Sequence, residues 1–188
     1  MSVTLATKLG KLTYNYLTVA TKLCKQLNTT ELQLNFKTKP KMKTLQELQS
    51  LILAWADEKN LLNLENAPKQ RLKLLEEIGE TSGAILKNKP DEIKDGLGDI
   101  FVVLIILAEQ LKEDIAIDDK SVFVNSGALE YHVLFGYILQ GNNYYFSISY
   151  LSDICDKLGY NLLECANLAW NEIKDRKGKT VDGTFIKN

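Results

Sequence analysis

LKLLEEIGETSGAILKNKPDEIKDGLGDIFVVLIILA, residues 72–108, holds two helical periods separated by a break. At about 100° of turn per residue, Leu72, Leu75, Ser82, Ile85 and Leu86 fall on one side of the first helix. Glu76, Glu77 and Glu80 fall on the opposite side, with Lys73 among them. Lys89-Pro90 marks the break, because proline disfavours helical backbone in the residue before it. The second helix stacks Glu92, Asp95 and Asp99 at i, i+3 and i+7 on one face. From Ile100 to Ala108 every residue is apolar, so this run must be buried all round.

This placement of acids is costly. Like charges four residues apart destabilise a helix by a few tenths of a kcal/mol, roughly 0.2–0.5 per pair. A lone carboxylate at the edge of a buried segment, as Asp99 is, favours its protonated form. A divalent cation relieves both problems by drawing the carboxylates together. A purely solvated acidic face would account for Glu76, Glu77 and Glu80 but not for Asp99.

The pattern E-E-x-x-E at Glu76-Glu77-Ile78-Gly79-Glu80, followed by G-L-G-D-I at Gly96 to Ile100, resembles the MazG-like family of all-α nucleoside triphosphate pyrophosphohydrolases. That family carries EExxE, a spacer, then ExxD. The resemblance implies metal ligation by Glu77, Glu80 and Asp99, with Glu76 close by. Three residues before Asp99, where the pattern has Glu, stands Gly96. Asp95 shares the face of Asp99 and is the expected substitute. The resemblance covers residues 44–108 and again 158–187.

Composition narrows the alternatives. The chain has 188 residues, 45% of them hydrophobic, which is one ordinary domain or one with an extension. A net charge of −1 gives no global basic field for nucleic acid. The nine-residue apolar run is half of a membrane span, so it reads as the centre of a buried helix and no membrane partner is expected. Cys24, Cys155 and Cys165 are odd in number and show no CxxC spacing, which points to packing roles in a reducing, cytoplasmic setting. The single histidine, His132, argues against multi-histidine zinc sites and triad chemistry.

Residues 1–43 hold eight lysines and one acid, Glu31, and are expected to form a basic extension, helical over 6–27 and without a catalytic role. The domain proper is expected over 44–188. Thr44 and Glu47 form a capping-box pattern that opens a helix bearing Leu45, Leu48, Ile52 and Trp55. Ala67-Pro68 starts the acid-bearing helix. Helices are expected over 125–140 and 144–158. A last helix, 162–176, carries Asn167, Asn171 and Lys174 at i, i+4 and i+7, a row able to hold a polar ligand and a phosphate. Strand signals are absent. The C-terminus, IKDRKGKTVDGTFIK, resembles that of the same family, which implies that Asn171, Lys174 and Arg176 meet nucleotide phosphates.

The expectation is therefore an all-α antiparallel helical bundle with an N-terminal basic extension. Its expected activity is Mg²⁺-dependent hydrolysis of a nucleoside triphosphate to the monophosphate and pyrophosphate, with Mn²⁺ able to replace Mg²⁺. Glu77, Glu80, Asp95 and Asp99 would hold the metal. Glu77 or Glu80, or Glu76 behind them, would take the proton of the attacking water. Lys73, Asn171, Lys174 and Arg176 would contact the substrate. The apolar excess suggests a homodimer or homotetramer. The alternatives are a narrower dUTP, dCTP or alarmone hydrolase, and a non-catalytic helical interaction module.

Overall fold

A computed structural model describes residues 41–115, 117, 126–141 and 143–187. The chain divides into two units, Met1–Lys41 and Met42–Asn188, and all the helices and strands described belong to the second. The helix expected over 6–27 lies outside the described residues.

Six helices are described: α1 (Leu45–Glu58), α2 (Ala67–Leu86), α3 (Pro90–Gln110), α4 (Tyr131–Gln140), α5 (Tyr144–Leu158) and α6 (Leu162–Ile173). A short hairpin of β1 (Gly178–Val181) and β2 (Thr184–Lys187) follows. The described residues are all-α apart from that hairpin. Among the described residues, no helix is long and apolar enough to cross a membrane.

The N-terminus of α1 closes as the capping box requires. Thr44 Oγ1 accepts from the Glu47 amide at 3.1 Å, and Glu47 Oε2 accepts from the Thr44 amide at 2.8 Å. Pro90 opens α3 at the position where a missing amide hydrogen costs nothing. From Ile100 to Ala108 every side chain of α3 is buried, and α2, α6, α5 and α1 all pack on it. Each fully buried Leu or Ile there contributes roughly 1.5–3 kcal/mol by leaving water, so α3 is the axis of the core.

On α2 the acids and the leucines separate as expected, and the leucine side is not the core face. Leu72, Leu75 and Leu86 are 60%, 52% and 84% exposed. Leu74, Ile78, Thr81 and Ala84 are buried instead, with Glu77 between them. The reason is close packing by small groups. Thr81 and Ala84 let α3 approach until a Cβ built at Gly96 would collide with the Thr81 hydroxyl. On the other side of α3, a Cβ at Gly98 would collide with the Cys165 carbonyl of α6. Glycines 96 and 98 thus set how closely α3 sits between its two neighbours.

Two further boundaries are corrected. The helix expected over 125–140 begins only at Tyr131, and α6 ends at Ile173 rather than at Arg176. The hairpin is an addition to the expected elements. Its turn is Asp182-Gly183, both with positive φ (48° and 78°), the two-residue geometry that suits a tight β-hairpin. Thr180 Oγ1 donates to the Lys59 carbonyl, and Phe185 meets Trp55 edge-on with ring centroids 5.5 Å apart.

Candidate active site

Two cavities flank the crossing of α2 and α3. The larger, about 770 Å³, is walled by Leu72, Leu75, Gly79 and Gly83 of α2 together with Glu92 and Gly96 of α3. The smaller, about 470 Å³, runs from the acids to the rings of Trp55 and Phe185 along Val102, Val103 and Ile106. Its size and its apolar stretch with a few convergent polar groups suit a small organic ligand. Glu77, Glu80, Asp95 and Asp99 line both cavities. These are the four acids that the sequence singles out for a metal. They come together because i, i+3 on α2 and i, i+4 on α3 each keep two carboxylates on one helix face, and the Gly96–Thr81 contact brings those faces together.

Burial decides their electrostatics. Asp99 has its carboxyl pushed up to about 7, first by loss of water and then by the charges of Glu77 and Asp95, against the opposing pull of Arg176. Asp95 is raised by burial and by the neighbouring charge of Glu172. One Asp95 carboxylate oxygen, Oδ1, is buried without a hydrogen-bond partner. Glu77 is only 5% exposed, and its Oε1 lies 2.6 Å from Lys73 Nζ, which also contacts Glu76 at 2.8 Å. Burial pulls the Lys73 ammonium down, but Glu76 and Glu77 outweigh that and leave it raised.

In chemistry the four acids are an all-oxygen donor set of the kind a hard divalent cation takes, and one of their oxygens, Asp95 Oδ1, is buried without a hydrogen-bond partner. Among the described residues, no three acids stand in a finished ligand arrangement, and Lys73 engages Glu77 in an ion pair.

The other expected site residues divide. Lys73 and Arg176 line the smaller cavity. Glu76 lines the larger one, and its side chain is half-exposed beside Lys73. Asn171 and Lys174 line neither. Lys174 Nζ donates to Asn171 Oδ1 at 3.2 Å on an exposed face at the end of α6. The same helix presents Glu172 and Ile173 to the cavity instead, because Cys165 and Ala169 are the residues that abut Gly98 and so fix the rotation of α6. Asn167 is structural: its side-chain amide donates to the Lys43 carbonyl (2.9 Å) and accepts from the Lys43 amide (3.0 Å), tying α6 to the start of α1.

Glu172 and Phe185 line the smaller cavity, and the sequence expectation did not include them. For Glu172 the available signal is its i, i+4 spacing to Arg176, with which it pairs at 3.2 Å. For Phe185 it is the Asp182-Gly183 turn.

Part of the chain is similar to known proteins. Residues 68–127 match the MazG nucleotide pyrophosphohydrolase domain. An uncharacterized 18.2 kDa protein from the rep-hol intergenic region of Haemophilus phage HP1 (strain HP1c1) is 49% identical over 69 residues. That match spans 37% of this chain and 42% of the phage protein, less than half of either. No solved structure matches the chain.

Proposed function

We propose, starting from a chain that carries a MazG nucleotide pyrophosphohydrolase domain over residues 68–127, that it hydrolyses nucleoside triphosphates to monophosphate and pyrophosphate with Mg²⁺ or Mn²⁺. The observation that carries this reading is the position of Glu77, Glu80, Asp95 and Asp99 as a partition between a ring-lined cavity and a second, more open one. Base and sugar fit the first, between Trp55, Phe185 and Val102. The triphosphate then crosses the acids. Those four acids would hold the metal, which when bound neutralises phosphate charge and acidifies a coordinated water.

The remaining work belongs to the chain itself. Lys73 and Arg176 line the smaller cavity beside the acids, where they meet the phosphate nearest the sugar and stabilise charge building on it during attack. Glu77 or Glu80 accepts the proton of the attacking water, and Glu76 keeps Lys73 in place from outside. One water is consumed, its oxygen going to the monophosphate and its proton to the carboxylate. The test is a panel of canonical and modified nucleoside triphosphates with Mg²⁺. Equal amounts of monophosphate and pyrophosphate are expected. Orthophosphate as the product would place attack at the wrong phosphorus, and no release from any member would favour a non-catalytic module.

A second copy of the chain is expected on the exposed side of α2. Leu72, Leu75 and Leu86 lie there with Gly79 and Gly83, where an added Cβ meets nothing. A neighbouring chain that covers these leucines would form the outer wall of the larger cavity, which Leu72, Leu75, Gly79 and Gly83 line. Sedimentation should show a dimer or tetramer for the wild type and a monomer for Leu72→Arg/Leu86→Arg. A monomeric wild type at micromolar concentration would remove this reading.

A further inference from the structure

We propose that Glu172, on α6, is a ligand of the cation, so that acids from three helices hold it. This rests on the metal-dependent function proposed for the site. Glu172 stands beside the other acids for reasons of packing: α6 is fixed against Gly98 of α3 through Cys165 and Ala169, and Glu172 lies within a turn of Ala169. It lines the same cavity as Glu77, Glu80, Asp95 and Asp99. Carboxylates gathered in one cavity repel unless a proton or a cation lies among them. One of their oxygens, Asp95 Oδ1, is buried without a hydrogen-bond partner.

Position 96 supplies no acid, and a Cβ there would meet the Thr81 hydroxyl. In the smaller cavity, Glu172 is the carboxylate that α6 adds to those of α2 and α3. The competing account is that Glu172 merely positions Arg176, its ion-pair partner at 3.2 Å.

The experiment titrates Mn²⁺ into the full chain without nucleotide and follows free Mn²⁺ by electron paramagnetic resonance. Helix propensity is similar for Gln and Glu, and Glu172 is half-exposed, so Glu172→Gln should melt like wild type in chelator. We expect Glu172→Gln to weaken Mn²⁺ binding by about tenfold or more, the range found for residues that build metal sites. Glu172→Asp, which keeps the charge, should recover part of the loss. Arg176→Gln should not weaken binding, since it removes only a competing cation.

If Glu172→Gln binds within about twofold of wild type while Asp99→Asn is impaired, the inference is overturned and the proposed function stands. If Arg176→Gln weakens binding as much as Glu172→Gln, Glu172 acts through Arg176 and the inference is likewise overturned. If wild type binds no Mn²⁺, both fall together.

Discussion

Glu77→Gln and Glu80→Gln should each lower pyrophosphate release by about a thousandfold, the middle of the range for losing a positioned base. Both residues line the two cavities, so either change removes a charge from the partition between base and phosphates. The fold should survive. Gln matches Glu in shape and helix propensity. In Glu77→Gln, Lys73 keeps Glu76 as its partner at 2.8 Å, so no buried cation is left alone. Glu76→Gln should cost far less, because Glu76 touches only the larger cavity and is half-exposed. The measurement is steady-state pyrophosphate release at saturating Mg²⁺, with a melt of each variant to establish folding. Near wild-type rates for both Glu77→Gln and Glu80→Gln would remove the site assignment.

Mg²⁺ or Mn²⁺ should stabilise the wild type, and Asp99→Asn should abolish most of that gain. A cation held only by the native state adds RT ln(1 + [L]/Kd), about 2.7 kcal/mol at a hundredfold excess over Kd. In chelator the order reverses. The folded carboxyl of Asp99 titrates at about 7, while in the unfolded chain an aspartate titrates near 3.9. Between those values the folded state holds a proton that the unfolded state releases. The stability from this group is therefore complete below the unfolded value and is lost as pH rises through about 7. Asp99→Asn has no such dependence, so its advantage over wild type should grow from about pH 5 to about pH 8 without metal. Adding the cation at the upper end of that range should restore the wild type. Melting curves of both proteins, with and without metal at each pH, check this. A wild type indifferent to metal in mild alkali, with nucleotide or without, would end the enzyme reading.

Local chemistry made most of the helices legible in the sequence. Thr44 with Glu47, Pro68, Pro90 and the unbroken run from Ile100 to Ala108 each specify an element within a few residues of themselves. The four acids were legible for the same reason, since helical spacing alone puts them on shared faces. What escaped depends on contacts between elements. Spacing separates the two sides of α2 without saying which is buried; Thr81, Ala84 and Gly96 allow a close helix crossing, and the leucines are left outside. Asn171 and Lys174 make a persuasive row, yet the rotation of α6 is set by Cys165 against Gly98, and that brings Glu172 round instead. The hairpin escaped because two four-residue strands carry little pattern of their own. They hold through Lys59 and Trp55, which lie far earlier in the chain.

The contact between Gly96 and Thr81 also orders the routes by which this site can change over generations. A glutamate at position 96 requires Thr81 to give way, because its first carbon meets the Thr81 hydroxyl. Thr81 has to turn that hydroxyl aside or be replaced by something smaller. Either change forfeits the 2.7 Å bond from its hydroxyl to the Glu77 carbonyl, inside the helix that carries two of the acids. That helix is thus weakened as the new acid arrives. Once glycine and threonine occupy this crossing, the exchange is hard to reverse, and lineages that share the pair should change both positions together or neither.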